Sequence, residues 1–250
     1  THRATPTHSA DVTADATAPT PQDGVGQQAR DFKRALAEVW SQPQARLFTL
    51  FVFTSMLAYS LQDLILEPFA GAWFGMSPGQ STQLSGVHHS GVLVGMLAVA
   101  VAGSKWVAGR LGSVQTWMVA GCLFSAVAMT GLTAAGLQGP PWPLRANVWF
   151  LGCANGVFSI AAIATMMRLA NSGGGQSQGT RMGLWGAAQA MAFGLGGVLG
   201  TALSDLAHWI APTSGIAYAA VFALEACMFI ASALCAVWVG RLDESNASPP

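Results

Sequence analysis

Five ionisable side chains set among apolar neighbours are the residues best suited to chemistry: Asp63, Glu67, His88, His89 and Glu225. Asp63 and Glu67 are four apart and share one face of a helix, with Tyr59 one turn earlier and Pro68 expected to stop the helix. Two readings of this pair stand. It is a polar pocket at the outer mouth of a membrane span, gripping a headgroup, a proton or a partner, or it finishes the helix in interfacial water. Glu225 falls near the middle of an apolar run, where a carboxyl must be protonated or paired with a neighbour. His88 and His89 begin another apolar run on the same outer side, and adjacent helical residues point roughly 100° apart, so both cannot face one partner. One imidazole can ligate a metal or the central magnesium of a chlorin; the plainer alternative is an interfacial hydrogen bond.

Other chemistries find no support. No HExxH and no Ser/His/Asp grouping on matched elements occurs, so a metalloprotease or another membrane enzyme has no specified machinery. Cys122, Cys153, Cys227 and Cys235 contain no CxxC pair and lie in apolar runs, where a thiol acts as a small hydrophobe. Neither a zinc site nor a disulfide framework follows from them. Gly194-Leu195-Gly196-Gly197-Val198 has the look of a nucleotide-binding turn, but no strand precedes it and it lies within an apolar helix.

The elements that must hold these residues are membrane spans. Of 250 residues, 52% are hydrophobic and 9% charged, with a mean hydropathy of +0.45. A soluble domain carries about a quarter charged residues. Eleven basic residues balance eleven acidic ones, which argues against a nucleic-acid partner. Six apolar stretches, at 47–66, 84–104, 116–137, 147–168, 183–204 and 215–239, each match the roughly twenty residues a helix needs to cross a bilayer. No alternation runs long enough for a β-barrel. The expected fold is therefore an all-α integral membrane protein of six transmembrane helices.

Residues 1–30 are polar and are expected to be disordered. In 31–46, Phe32, Leu36, Val39 and Trp40 make one helical face, suited to an interfacial helix or to packing on loops. The transmembrane domain is placed at 47–240, and 241–250 is read as a cytoplasmic tail. The chain opens on Thr1, which suggests a processed, truncated or partial chain.

Small residues form stripes for helix contact: Gly91 with Gly95, Gly152 with Gly156, and Gly196 with Gly200, while Gly186, Ala190 and Gly194 make a further fourfold series on the fifth span. Asn155 and Gln189 are expected to act as interhelical glue. Trp73, Trp106, Trp142, Trp185 and Trp209 suit an aromatic belt at the interfaces. With the N-terminus inside, the cytoplasmic segments near the spans hold Arg30, Lys33, Arg34, Arg46, Lys105, Arg110, Arg168, Arg181 and Arg241, and the outside loops hold only Arg145. Both termini are expected to be cytoplasmic.

The stretch Gln62-Asp63-Leu64-Ile65-Leu66-Glu67-Pro68-Phe69-Ala70-Gly71, continuing to Phe74-Gly75-Met76-Ser77, resembles the PucC family, as does Gly179-Thr180-Arg181-Met182 followed by Gly183-Leu184-Trp185-Gly186-Ala187-Ala188-Gln189-Ala190. The resemblance covers roughly residues 45–240. It implies a major facilitator fold, of which this chain resembles the C-terminal six-helix half. The basic link from Gly103 to Gly112 stands in place of that superfamily's cytoplasmic loop but lacks its usual Asp. The resemblance further implies a non-enzymatic role in the assembly of bacterial light-harvesting complexes or the carriage of bacteriochlorophyll, in a photosynthetic intracytoplasmic (bacterial inner) membrane. The implied partners are antenna polypeptides, the lipid membrane and a separate N-terminal six-helix half. Two alternatives remain open: a proton-coupled transporter using Glu225, and a permanent structural subunit of a photosynthetic complex.

Overall fold

A computed structural model describes residues 34, 37–102, 113–171, 175–211 and 213–247, with the backbone alone for 175–177 and 243–247. Six long helices make up nearly all of it: α1 Pro43–Phe74, α2 Pro78–Ala102, α3 Val114–Gln138, α4 Leu144–Asn171, α5 Gly175–Ile210 and α6 Ser214–Ala247. Each contains a stretch long and apolar enough to span a membrane. The described residues include no strand.

Local chemistry sets the helix ends. Pro43 and Pro78 open α1 and α2, where a missing N–H removes a donor that would have no partner anyway. Gly75 closes α1 in the left-handed region at φ 64°, its N–H donating to the Ala70 carbonyl. Ser113 caps α3, its Oγ accepting from the Thr116 N–H at 3.2 Å.

One expectation about boundaries is corrected here. Pro68 does not stop the first helix; α1 runs through it for six further residues to Phe74. Pro68 lies on an exposed face, so its ring meets no neighbouring helix and only the Leu64 carbonyl loses its usual donor. At the other end, α6 continues helical to Ala247, so residues 243–247 of the expected tail prolong the last helix beyond its apolar span, which ends at Leu242. The polar leader 1–30, the residues Phe32 and Leu36, the basic link 103–112 with Trp106, and Pro212 lie outside the described residues. Of the amphipathic segment, residues 37–41 are helical, with Val39 buried and Trp40 exposed.

Neighbour relations follow a rule. The extensive contacts are α2 with α4, α4 with α3, α3 with α6, α6 with α1, and α1 with α5. Exchanging α1 for α4, α2 for α5 and α3 for α6 maps this chain of neighbours onto itself. The bundle is thus two three-helix units in equivalent surroundings, with α2 and α5 at the ends of an arc. Only 28% of the most apolar stretch of α2, and 17% of that of α5, is buried in the bundle, against 61% for α1. The end helices therefore present most of their apolar surface outward.

The α2–α4 crossing is the tightest. A Cβ on Gly91 would lie 2.3 Å from the Trp149 carbonyl oxygen, and on Gly95 2.1 Å from that of Cys153. Reciprocally, Gly152 faces the His88 carbonyl and Gly156 that of Val92, each at 2.1 Å. Both stripes press backbone on backbone, which only glycine permits. Gly196 packs on Ser60 and Gly200 lies against Leu61 and Leu64, joining α5 to α1. Gly186 and Gly194, by contrast, have open space where a side chain would go.

Aromatic pairs fill the core between α1 and its partners: Phe48 with Trp185 at 4.9 Å and 78°, and Phe69 with Phe222 at 4.9 Å and 78°. Trp185 is 1% exposed and belongs to this core, not to an interfacial belt, because its face of α5 turns toward Phe48. Trp209, 84% exposed in the last turn of α5, is placed as a belt residue would be. Arg181 ties three helices together, its guanidinium donating to the Leu169 carbonyl of α4 and to Gln42 Oε1, just ahead of α1, at 2.6 Å.

Candidate functional site

The middle of the bundle holds a polar seam drawn from four helices. Gln62 of α1, His88 of α2, Ser125 of α3 and Asn155 of α4 are all at most 1% exposed. Ser125 Oγ donates to Asn155 Oδ1 at 2.8 Å. Asn155 Nδ2 donates to Gln62 Oε1 at 2.9 Å and to His88 Nε2 at 3.3 Å. Gln62 Nε2 donates to His88 Nε2 at 3.1 Å. Since amide nitrogens only donate, His88 Nε2 accepts, and the ring proton belongs on Nδ1. With Nε2 thus enclosed, His88 is an internal hydrogen-bonding residue rather than an open ligand.

The predicted site residues separate around this seam. His89 is exposed on α2, its ring 5.3 Å from that of His88 and nearly perpendicular to it. Its Nδ1 donates to the Ser85 carbonyl one turn back at 2.8 Å. Ser85 Oγ in turn donates to Glu67 Oε1 at 3.0 Å, which links α2 to α1. Glu67 and Asp63 are both exposed, on the same side of α1. Because α1 continues past Pro68, they lie about two and three turns before its end. Asp63 and His89 sit equally far from the α1–α2 hairpin and so at the same depth.

Glu225 stands apart. It is fully buried in α6, and neither of its oxygens has a hydrogen-bond partner among the described residues. The structure therefore brings Glu67 and His89 together through Ser85, sets Asp63 at their level, and leaves Glu225 elsewhere in the core.

Sequence reasoning overlooked Gln62 and Ser125. Gln62 stands directly before Asp63 in an apolar run, and the signal that singles out Asn155, an amide inside a span, applies equally to it. Ser125 carries no such signal, because a lone serine is unexceptional in a membrane helix.

Below the seam, toward the α1 N-terminus, a cleft of about 220 Å³ opens between α1, α4 and α5. Val52, Met56, Ile163 and Met166 give it an apolar, deformable lining, and Tyr59, Ser159 and Gln189 supply polar edges. Tyr59 joins cleft to seam, its ring 6.2 Å from that of His88 and 6.4 Å from that of Phe193. Gln189 lines this cleft instead of bridging buried helices.

These features define a polytopic helical membrane protein with a polar centre, an adjoining apolar cleft and two outward-facing end helices. The chain belongs to the PucC family: the family described as PUCC protein matches residues 13–243. It is 47% identical over 204 residues to the bacteriochlorophyll synthase 44.5 kDa chain of Rhodobacter capsulatus, an alignment covering 82% of this chain and 46% of that protein. It is 28% identical over 216 residues to Protein PucC of Rhodobacter capsulatus, covering 82% of this chain and 44% of that one. With Protein PucC of Cereibacter sphaeroides it shares 29% identity over 174 residues, covering 68% and 36%. The chain thus spans less than half the length of these relatives. No solved structure matches it.

Proposed function

We propose that this protein is a non-enzymatic assembly factor or pigment carrier for bacterial light-harvesting complexes, binding bacteriochlorophyll, antenna polypeptides or both. The observation that carries this reading is its place in the PucC family, with a relative at 47% identity named for bacteriochlorophyll synthesis. The geometry is suited to such a role. The outward faces of α2 and α5 offer apolar surface on which single-span antenna helices can lie. The Met-lined cleft is too small for a whole chlorin but takes part of a hydrocarbon tail. The exposed His89 of α2 and the exposed carboxylates Asp63 and Glu67 of α1 supply polar contacts. The work proposed is binding, shielding and hand-over, with no covalent step.

In this reading the chain lies in a photosynthetic intracytoplasmic membrane with both termini in the cytoplasm, and it acts with a second six-helix half. The exchange relation between α1–α3 and α4–α6 supports descent from the repeated architecture of major facilitators. The test is an absorption spectrum and mass spectrum of the protein gently purified from its own membranes. Bacteriochlorophyll with antenna polypeptides is the expected result, and their stoichiometry separates a transient helper from a permanent subunit.

One observation favours a second reading, a proton-coupled transporter: Glu225 is buried with both oxygens lacking a partner among the described residues, as a proton site in a span would be. A colourless protein without antenna partners, together with pH-dependent uptake abolished in Glu225→Gln, would establish it instead.

A further inference from the structure

We infer that His89 Nε2 is the axial ligand for the magnesium of a chlorin macrocycle held against the outer face of α2. The inference rests on the pigment-binding reading above and names the atom that would do the binding. A carbonyl oxygen only accepts hydrogen bonds, so the 2.8 Å contact to Ser85 places the ring proton of His89 on Nδ1. In the neutral ring the free lone pair is then on Nε2, on an exposed residue. A metal-binding histidine is ordinarily held in this way, its other nitrogen donating to a carbonyl that fixes tautomer and ring orientation. Here the support extends further, since the Ser85 hydroxyl is itself held by Glu67 on the neighbouring helix.

The surroundings select the kind of metal. No group of three or more His, Cys, Asp or Glu that could hold an ion occurs among the described residues. A bare zinc ion needs three or four protein ligands, whereas a metal inside a macrocycle has its equatorial positions filled and needs one axial donor. Space also permits it. A helical side chain covers the turn N-terminal to it, and in that turn Gly86 has no heavy atom within 4 Å of where a Cβ would stand. Beyond His89 on the same face, Leu93, Leu97 and Val101 are 55–62% exposed and form an apolar track for a hydrocarbon tail.

The other histidines among the described residues, His88 and His208, do not fit. His88 Nε2 is enclosed by Gln62 and Asn155. His208 makes the same kind of bond, to the Ser204 carbonyl one turn back at 2.7 Å, but only two residues of α5 follow it, so no apolar track runs on beyond it as Leu93, Leu97 and Val101 do beyond His89.

The test uses the full chain in mild detergent, titrated with bacteriochlorophyll a and separately with its magnesium-free counterpart. Affinity is read by fluorescence quenching, and axial coordination by resonance Raman. The wild type should bind the magnesium pigment in five-coordinate form and bind the metal-free one more than about tenfold less tightly. His89→Leu should lose more than about tenfold in affinity for the magnesium pigment together with the histidine-ligated signature. Gly86→Phe should weaken binding with His89 intact, and His208→Leu should leave it unchanged. Thermal unfolding of each variant confirms folding, which is expected to survive because His89 is exposed and Gly86 has open space beside it. Equal binding and coordination in wild type and His89→Leu, or equal affinity for both pigments, overturns the assignment while leaving pigment carriage standing. A wild-type chain that binds neither pigment overturns both.

Discussion

Gln62 is the pivot of the central seam, because it donates to His88 and accepts from Asn155 in a space without water access. Interhelical hydrogen bonds within membranes average only about 0.6 kcal/mol, but stranding a buried partner costs about 1–3 kcal/mol. The second effect dominates here. Gln62→Leu should therefore destabilise the bundle by about 1–2 kcal/mol, and Gln62→Leu with Asn155→Leu by less than the sum of the single changes. Reversible unfolding in mixed micelles, run as a double-mutant cycle, measures both. Glu225 is expected to behave in the opposite sense. Its oxygens have no partner among the described residues, so Glu225→Leu should raise stability by about 1–3 kcal/mol in the same assay. A gain in stability accompanied by a loss of function would place Glu225 among residues kept for what they do.

Among the elements, the α2–α4 crossing makes the sharpest prediction. In Gly156→Ala the new methyl would meet the Val92 carbonyl, a backbone atom that cannot swing aside, and the loss should be about 1–3 kcal/mol. Gly186→Ala places its methyl in open space and should be neutral or stabilising by up to about 1 kcal/mol. Thermal midpoints of the two variants against wild type decide the matter. In α1, Pro68→Ala restores an N–H for the Leu64 carbonyl without disturbing a neighbour and should raise the midpoint. These contrasts also mark what sequence pattern can reveal. Gly91 with Gly95 and Gly152 with Gly156 have the same fourfold spacing as Gly186, Ala190 and Gly194, yet spacing says that residues share a face, not what that face meets. Pro68 escapes sequence pattern for a related reason: the rule that proline ends a helix presumes a crowded or solvated one.

For the whole molecule, six spans are legible because twenty-residue apolar runs have almost no other use. The site is legible only in part. The ionisable residues stand out by type, but their division into an enclosed His88, an open His89 and an isolated Glu225 depends on helix rotation, which a near-uniform apolar sequence leaves unmarked. Trp185 shows the same limit, since nothing near it in sequence distinguishes a core tryptophan from an interfacial one. The basic residues predict orientation for the whole bundle. A reporter fused after Ala247 should be active only in its cytoplasmic form, and one inserted between Gly139 and Pro143 only in its exported form.

The order of neighbours along the arc also bears on biogenesis. Of the six spans, α1 is made before the others and packs chiefly on the two made last, α5 and α6. Its Phe48 awaits Trp185, and its Ser60 awaits the Phe193 carbonyl that accepts from it at 3.4 Å. At about 5–20 residues per second, translation separates the ends of α1 and α5 by roughly 7 to 27 seconds. Throughout that interval α2 and α3 can both close on α4 while α1 lacks most of its permanent partners. A nascent chain halted after Asn171 would therefore be an assembled three-helix unit with an orphan span, the kind of substrate that membrane insertases shelter and quality-control proteases remove.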